Sequence, residues 1–144
     1  MNLIHVQKML THEGSKNKVI QLIQENGPRC DMILEHVERR AFKDDMDIVR
    51  AALSSDVRNI QFASDRLKNN KELATELILR QWSILRYLGN EIRGNRDIML
   101  LAIRQNGMAI QYATEELLKD KELVDEAIQQ HPDVVNLLAW IQEG

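Results

Sequence analysis

The strongest constraint on the fold is a sequence that repeats itself every 25 residues. Four windows, starting at Met46, Lys71, Arg96 and Lys121, align without a gap. The third residue of each is Ile48, Leu73, Ile98 or Leu123, and the eighth is Leu53, Ile78, Ile103 or Ile128. The fifteenth is Ile60, Leu85, Ile110 or Val135, and the eighteenth is Ala63, Leu88, Ala113 or Leu138. Between them the seventeenth is large: Phe62, Tyr87, Tyr112 or Leu137. A unit this short cannot bury its own apolar face, so successive units must stack to share a core.

The spacing inside a unit predicts helices. Apolar residues at places three, four, seven and eight, as in Ile98, Met99, Ala102 and Ile103, share one helix face. A second helical cluster follows in Ala109, Ile110, Tyr112 and Ala113. No segment alternates with period two, so no strand is expected. Before each first helix stands Asp45, Asn70, Asn95 or Asp120, a short polar side chain suited to accept from a free first-turn amide. Two residues later comes Asp47, Glu72, Asp97 or Glu122, where the helix dipole favours negative charge. The turn to the second helix holds Asn106 and Gly107 in the third unit and His131 and Pro132 in the fourth. Place nineteen offers Ser64, Gly89 and Thr114 as further N-caps, so a third, short helix such as 115–119 can close the unit.

The expected fold is therefore all-α, a short right-handed-type helical solenoid of 25-residue repeats with two or three helices each. It should form a single domain over 1–144. Residues 1–15 are expected as a capping helix and 16–45 as a degenerate unit plus an insertion. Clear units follow at 46–70, 71–95, 96–120 and 121–144. In the degenerate copy Asn26 and Gly27 match the Asn106–Gly107 turn, and Val19, Leu22, Ile23, Cys30, Met32, Ile33 and Val37 fall near core places. Five extra residues, 41–45, separate it from Met46.

Composition narrows the function. A 44% hydrophobic, 28% charged chain is ordinary globular protein, and 4% aromatics leaves an aliphatic core. No apolar run approaches the roughly 20 residues of a membrane helix, and the opening ten residues make a poor signal peptide. One cysteine offers no internal disulfide, so a cytoplasmic setting is expected. The net charge of −3 argues against nucleic acid. Residues 121–144 carry one lysine against five acids, leaving the rest near neutral. That acidic end reads as a solvated face, with a basic partner as the sharper reading.

No chemistry is specified. His5, His12, His36 and His131 lack metal-ligand spacing, and Cys30 occupies the core slot of Ile110. There is no glycine-rich phosphate loop, and acid pairs such as Glu115–Glu116 sit at helix starts. No catalytic residue, metal or cofactor is expected. An RNA-reading repeat would need a basic or aromatic code; Arg80, Arg86, Arg93, Arg96 and Arg104 are largely cancelled by Glu72, Glu76, Glu91 and Asp97.

The informative residues are apolar where other units are polar. Place nine is Ser54, Leu79, Arg104 or Gln129; place twelve is Val57, Trp82, Gly107 or Pro132; place thirteen is Arg58, Ser83, Met108 or Asp133. Leu79, Trp82 and Met108 thus lie around the turn between first and second helices on adjacent units, with Arg80 and Arg86 as a polar rim. Leu100 and Leu101 replace the polar or small residues of other units. These residues either pack beneath loops or form a patch for a protein partner or for self-association.

The stretch IRQNGMAIQYATEELLKDKELV, from Ile103 to Val124, resembles the helical repeat known as domain of unknown function 4116. The likeness lies in its Gln-Asn-Gly turn, its Ala-Ile-Gln-Tyr-Ala segment and its Glu-Glu-Leu-x-Lys-Asp-Lys-Glu junction. The resemblance implies an α-helical array of the kind found in intracellular bacteria such as Legionella, in effectors or regulators of effectors. It carries no catalytic residues, and it adds signal-independent export to a host cell to the expected setting. The expected function is a non-catalytic protein-binding module, in particular a small inhibitor or regulator of a partner such as an effector enzyme. A homo-oligomeric structural module, for instance a homodimer, is the alternative, and an RNA-binding repeat is more distant. Membrane and nucleic acid are not expected as partners.

Overall fold

The computed structural model describes residues 15–26, 32–37 and 40–143, the last two in backbone only. Among these residues every regular element is helical. The chain is an all-α helical repeat, and it gathers into two compact bodies, Met1–Lys68 and Asn69–Gly144. The expected capping helix over 1–15 lies outside the described residues save for Ser15, and so do Cys30, His5 and His12.

Each clear unit begins with a ten-residue α-helix: Met46–Ser55, Lys71–Arg80, Arg96–Gln105 and Lys121–Gln130. The expected caps start them. The side chain of Asp45 accepts from the amides of Asp47 and Ile48, and those of Asn70, Asn95 and Asp120 accept from Leu73, Ile98 and Leu123 at 2.9, 3.1 and 3.1 Å. One extended residue ends each helix, Asp56, Gln81, Asn106 or His131, while its amide still donates into the last turn. Two of them also cap forward, since the side chains of Asp56 and Asn106 accept from the amides of Arg58 and Met108 at 2.9 Å.

The second helix is a six-residue 3-10 helix in the first three units: Val57–Phe62, Trp82–Tyr87 and Gly107–Tyr112. The third is a single turn, Asp65–Lys68, Asn90–Arg93 or Glu115–Leu118. These units therefore hold three helices each. Of the expected caps for that turn, only Ser64 works as one, accepting from the amide of Leu67 at 3.3 Å. Gly89 has no side chain, and Asn69 of the preceding unit caps instead, accepting from the amide of Glu91 at 3.1 Å. Thr114 makes no side-chain cap bond; its hydroxyl and methyl face Gly94, 3.5 and 3.3 Å from where a β-carbon there would lie.

In Met1–Lys68, helix Lys16–Asn26 packs on Met46–Ser55 and buries Val19, Leu22 and Ile23. The 3-10 turn Ile33–His36 lies on Val57–Phe62. Of residues 41–45, expected as an insertion, the first three lie in the short helix Arg40–Lys43, which stands before Met46 as the other third helices stand before their next unit, and Asp45 is the N-cap of the helix that follows. Fully buried Asn59 fixes this packing: its amide donates to the carbonyls of Ala52 and Asp56, and its oxygen accepts from the amide of Leu34.

In Asn69–Gly144, helix Arg96–Gln105 packs between Lys71–Arg80 and Lys121–Gln130. Ile84, Leu85, Ala109 and Ile110 are fully buried. Burying a side chain such as Leu85 or Ile110 contributes about 1.5–3 kcal/mol. The fourth unit departs from the pattern. It replaces the 3-10 helix and the short turn with one α-helix, Val134–Glu143. Winding at 3.6 residues per turn places Val134, Leu137, Leu138 and Ile141 on one row and turns Val135 outward. Place fifteen is thus core in three units and 52% exposed at Val135, which corrects the expectation that all four are core.

Gly107 is not a left-handed helix stop, since no described glycine has positive φ. It is required by close approach. A β-carbon there would sit 2.2 Å from the Ala127 carbonyl oxygen and 3.0 Å from the His131 β-carbon.

Ion pairs repeat the stacking logic. Lys16 and Arg96, each the first residue of a long helix, reach the N-cap and second-place acids of the next long helix. Lys16 lies 3.0 Å from Asp45 and 2.8 Å from Asp47; Arg96 lies 2.7 Å from Asp120 and 3.1 Å from Glu122. The Arg96 hydrogen bond and the Leu123 amide hold the Asp120 carboxyl below its ordinary value. A carboxyl depressed by folding contributes stability that is complete above the unfolded value, near 3.8, and is lost as pH falls through the folded one. The melting temperature should therefore be flat between neutrality and about pH 5 and fall below about pH 4. Asp120→Asn keeps a capping oxygen but removes the charge, and should make that acid fall shallower. An unchanged acid limb in thermal melts would remove Asp120 from this account.

Candidate protein-binding surface

The residues singled out as a patch lie in Asn69–Gly144 and differ in exposure. Leu79 is 59% exposed, on the last turn of Lys71–Arg80, opposite the row that buries Leu73, Ala74, Leu77 and Ile78. Arg80 follows it and is exposed. Trp82 opens the next 3-10 helix and is half-buried, its ring tilted 39° against Tyr112 with centroids 6.4 Å apart. This is an aromatic pair with about 0.5–1.5 kcal/mol beyond its burial. Met108 is half-buried on the 3-10 helix that packs against Trp82–Tyr87. Arg86 is exposed, its guanidinium 5.3 Å from the centre of the Tyr87 ring.

The two stacked 3-10 helices thus carry Trp82 and Met108 on neighbouring elements, while Leu79 is exposed near the end of the α-helix before them. Trp82 is as much a packing residue as a surface one. Leu100 and Leu101 are half-buried in the middle of Arg96–Gln105, an element that carries none of the other patch residues.

Two exposed apolar residues were missed. Trp140 is 73% and Val135 52% exposed on Val134–Glu143. The signal for Trp140 was present: place twenty reads Asp65, Asn90, Glu115 and then Trp140. It is apolar where the other units are polar, the same criterion that selected Leu79.

Two open grooves lie at the third-helix junctions, at equivalent places of the repeat. One of about 550 Å³ is bordered by Arg40, Asp44, Ser64 and Asp65, the other of about 620 Å³ by Glu91, Arg93, Thr114 and Glu115. In the first, Asp44 accepts from the Ser64 hydroxyl and the Arg66 guanidinium, which hold its carboxyl below the ordinary range. These are structural pairings of mixed charge. His131 ends helix Lys121–Gln130 by donating its amide to Ala127 at 2.9 Å. Among the described residues no group of three histidine, cysteine or acidic side chains is placed to hold a metal ion. Nor is any described helix long and apolar enough to cross a membrane.

Neither the curated proteins nor the solved structures yield a significant match to the chain. A family model does match, over residues 45–93 and 95–138. Both segments open on an N-cap, Asp45 and Asn95, and each spans one whole 25-residue unit and most of the next. Together they cover more than half of the chain, which belongs to the family described as Domain of unknown function (DUF4116).

Proposed function

We propose that this chain is a non-catalytic protein-binding module whose working surface is the ridge around Leu79. The observation that carries the reading is a leucine left 59% exposed at a place where other units have Ser54, Arg104 and Gln129. Next to it in sequence, exposed Arg80 supplies donors for partner carboxylates, and exposed Arg86 with half-buried Trp82, Tyr112 and Met108 lies on the two stacked 3-10 helices. Apolar anchors within a polar rim are the anatomy of binding hot spots. The finer form of the reading is a small regulator that covers a surface of a partner enzyme, such as a bacterial effector.

The test is affinity capture from the source cells with the full chain and its Leu79→Ser variant. The wild type should retain one stoichiometric partner, and the variant should retain it at least about tenfold less well with its melting temperature unchanged. Equal recovery by both, or recovery of the bait alone, would sink the proposal. Trp82→Ala serves as the comparison. It should lower both binding and melting temperature, because the ring that meets a partner also packs on Tyr112.

A further inference from the structure

We infer that Asn106 is a self-modification site, where attack by the Gly107 nitrogen turns asparagine into aspartate or isoaspartate once the fourth unit comes off the third. Within residues 40–143, Asn106 is the one asparagine followed by glycine. Glycine carries no β-carbon, so the nitrogen beside it is open to close approach. Water is the only other reagent. The Gly107 nitrogen gives up its proton and bonds to the Asn106 Cγ, while the Cγ–Nδ2 bond breaks and ammonia leaves with that proton. A five-membered succinimide remains. Water then opens either of its carbonyls, giving aspartate or an isoaspartate whose main chain runs through the side-chain carbons.

The closed seam holds this reaction off. The ring forms only with the Gly107 nitrogen eclipsed on the Asn106 β-carbon, and the observed ψ of 119° turns it well away. The Asn106 Oδ1 accepts from the Met108 amide at 2.9 Å. Its backbone amide donates to Ala102 and its carbonyl accepts from Ala109, each at 3.0 Å. Turning the Gly107 peptide also needs room at a buried α-carbon, and the Ala127 carbonyl oxygen of the fourth unit already fills the space beside it. The segment Gly107–Tyr112 packs against both fourth-unit helices, Lys121–Gln130 and Val134–Glu143. The clamp is thus the fourth unit itself. Where units touch only their neighbours, one seam opens without unfolding the others.

The two products differ in consequence. Asp56 holds the same place in the first unit and accepts from the Arg58 amide at 2.9 Å, as Asn106 does from Met108. Aspartate therefore keeps the cap. Isoaspartate adds a carbon to the main chain where Gly107 meets Ala127, so the seam does not close again. An opening of the third and fourth units is recorded covalently.

The experiment is peptide mass mapping of the full chain held at mildly alkaline pH, folded and in denaturant, beside Leu123→Ala and Leu73→Ala. These leucines hold place three of the fourth and second units and are buried to within 1%. Trypsin releases residues 105–119 apart from the peptide that contains Asn26 and Gly27. Wild type should deamidate at residue 106 at least about tenfold faster in denaturant than when folded. Leu123→Ala should speed the folded reaction at least about tenfold, and Leu73→Ala by less than about twofold. Should either truncation lose its helical spectrum, Leu123→Val and Leu73→Val make the same comparison, with about threefold expected for the first. In hydrogen exchange the isoaspartate fraction should lose protection over Lys121–Gln130, whereas Asn106→Asp should keep it. Equal rates in folded and denatured wild type overturn the inference, as do equal effects of the two leucine variants. So does a peptide 105–119 that stays unmodified in every sample, or an isoaspartate fraction that keeps full protection.

Discussion

Ile110→Ala should destabilise the protein by about 2–5 kcal/mol, the range for truncating a fully buried aliphatic side chain. Ile110 has no exposed surface. It lies on the 3-10 helix that packs against Lys121–Gln130, Arg96–Gln105 and Trp82–Tyr87, so the cavity would open where three elements meet and none can close it alone. For a chain of this length the melting temperature should fall by roughly 10 °C. The control comes from the repeat itself. Val135 holds the same place in the fourth unit but is 52% exposed, so Val135→Ala should cost no more than about 0.5 kcal/mol. Equal losses from the two truncations, in denaturant melts, would mean that the α-helical winding of Val134–Glu143 is wrong.

Gly107→Ala is the second large effect. Alanine in place of glycine ordinarily gains about 0.4–1 kcal/mol by restricting the unfolded chain. Here its β-carbon would lie 2.2 Å from the Ala127 carbonyl oxygen. That carbonyl cannot simply swing away, because it accepts the His131 amide that closes helix Lys121–Gln130. The fourth unit must shift off the third, at about 1–3 kcal/mol for an overpacked contact. Hydrogen exchange should locate the damage, with amides of Lys121–Gln130 losing protection before those of Lys71–Arg80. A neutral or stabilised variant would show that Gly107 is a turn residue after all.

Much of this architecture could be read from the sequence, for physical reasons that differ by element. The long helices announced themselves because their buried row and their capping oxygens recur at fixed spacing. The 3-10 helices did not: Ile84 with Leu85, or Ala109 with Ile110, are adjacent buried pairs that apolar periodicity reads as helix of unspecified winding. The fourth unit misled for a related reason. Val134 and Val135 are equally apolar, and only the change from 3-10 to α winding decides which faces inward. At the candidate surface, Leu79 was legible because a polar place had become apolar. Trp82 holds a place that is Val57, Gly107 or Pro132 in the other units, none of them polar, and it lies half-buried against Tyr112 of the next unit, which no single-position comparison contains. Trp140 was legible by the rule that marks Leu79, since its place is Asp65, Asn90 and Glu115 in the other units.

The third-helix junctions carry a further consequence. In Asn69–Gly144 the first junction sets the Asn69 side chain against Gly89, where a β-carbon would lie 1.9 Å from the Asn69 Oδ1. The second reverses the roles, with Gly94 facing the Thr114 side chain. Bulk comes from the earlier unit in one case and from the later unit in the other, like a tongue and groove cut in opposite senses on successive boards. The units are therefore not interchangeable parts. Exchanging the second with the third would drive Asn69 into Thr114 and leave Lys119 opposite Gly89. Chain order is written into the seams, and a lengthened array would have to copy the seams together with the units.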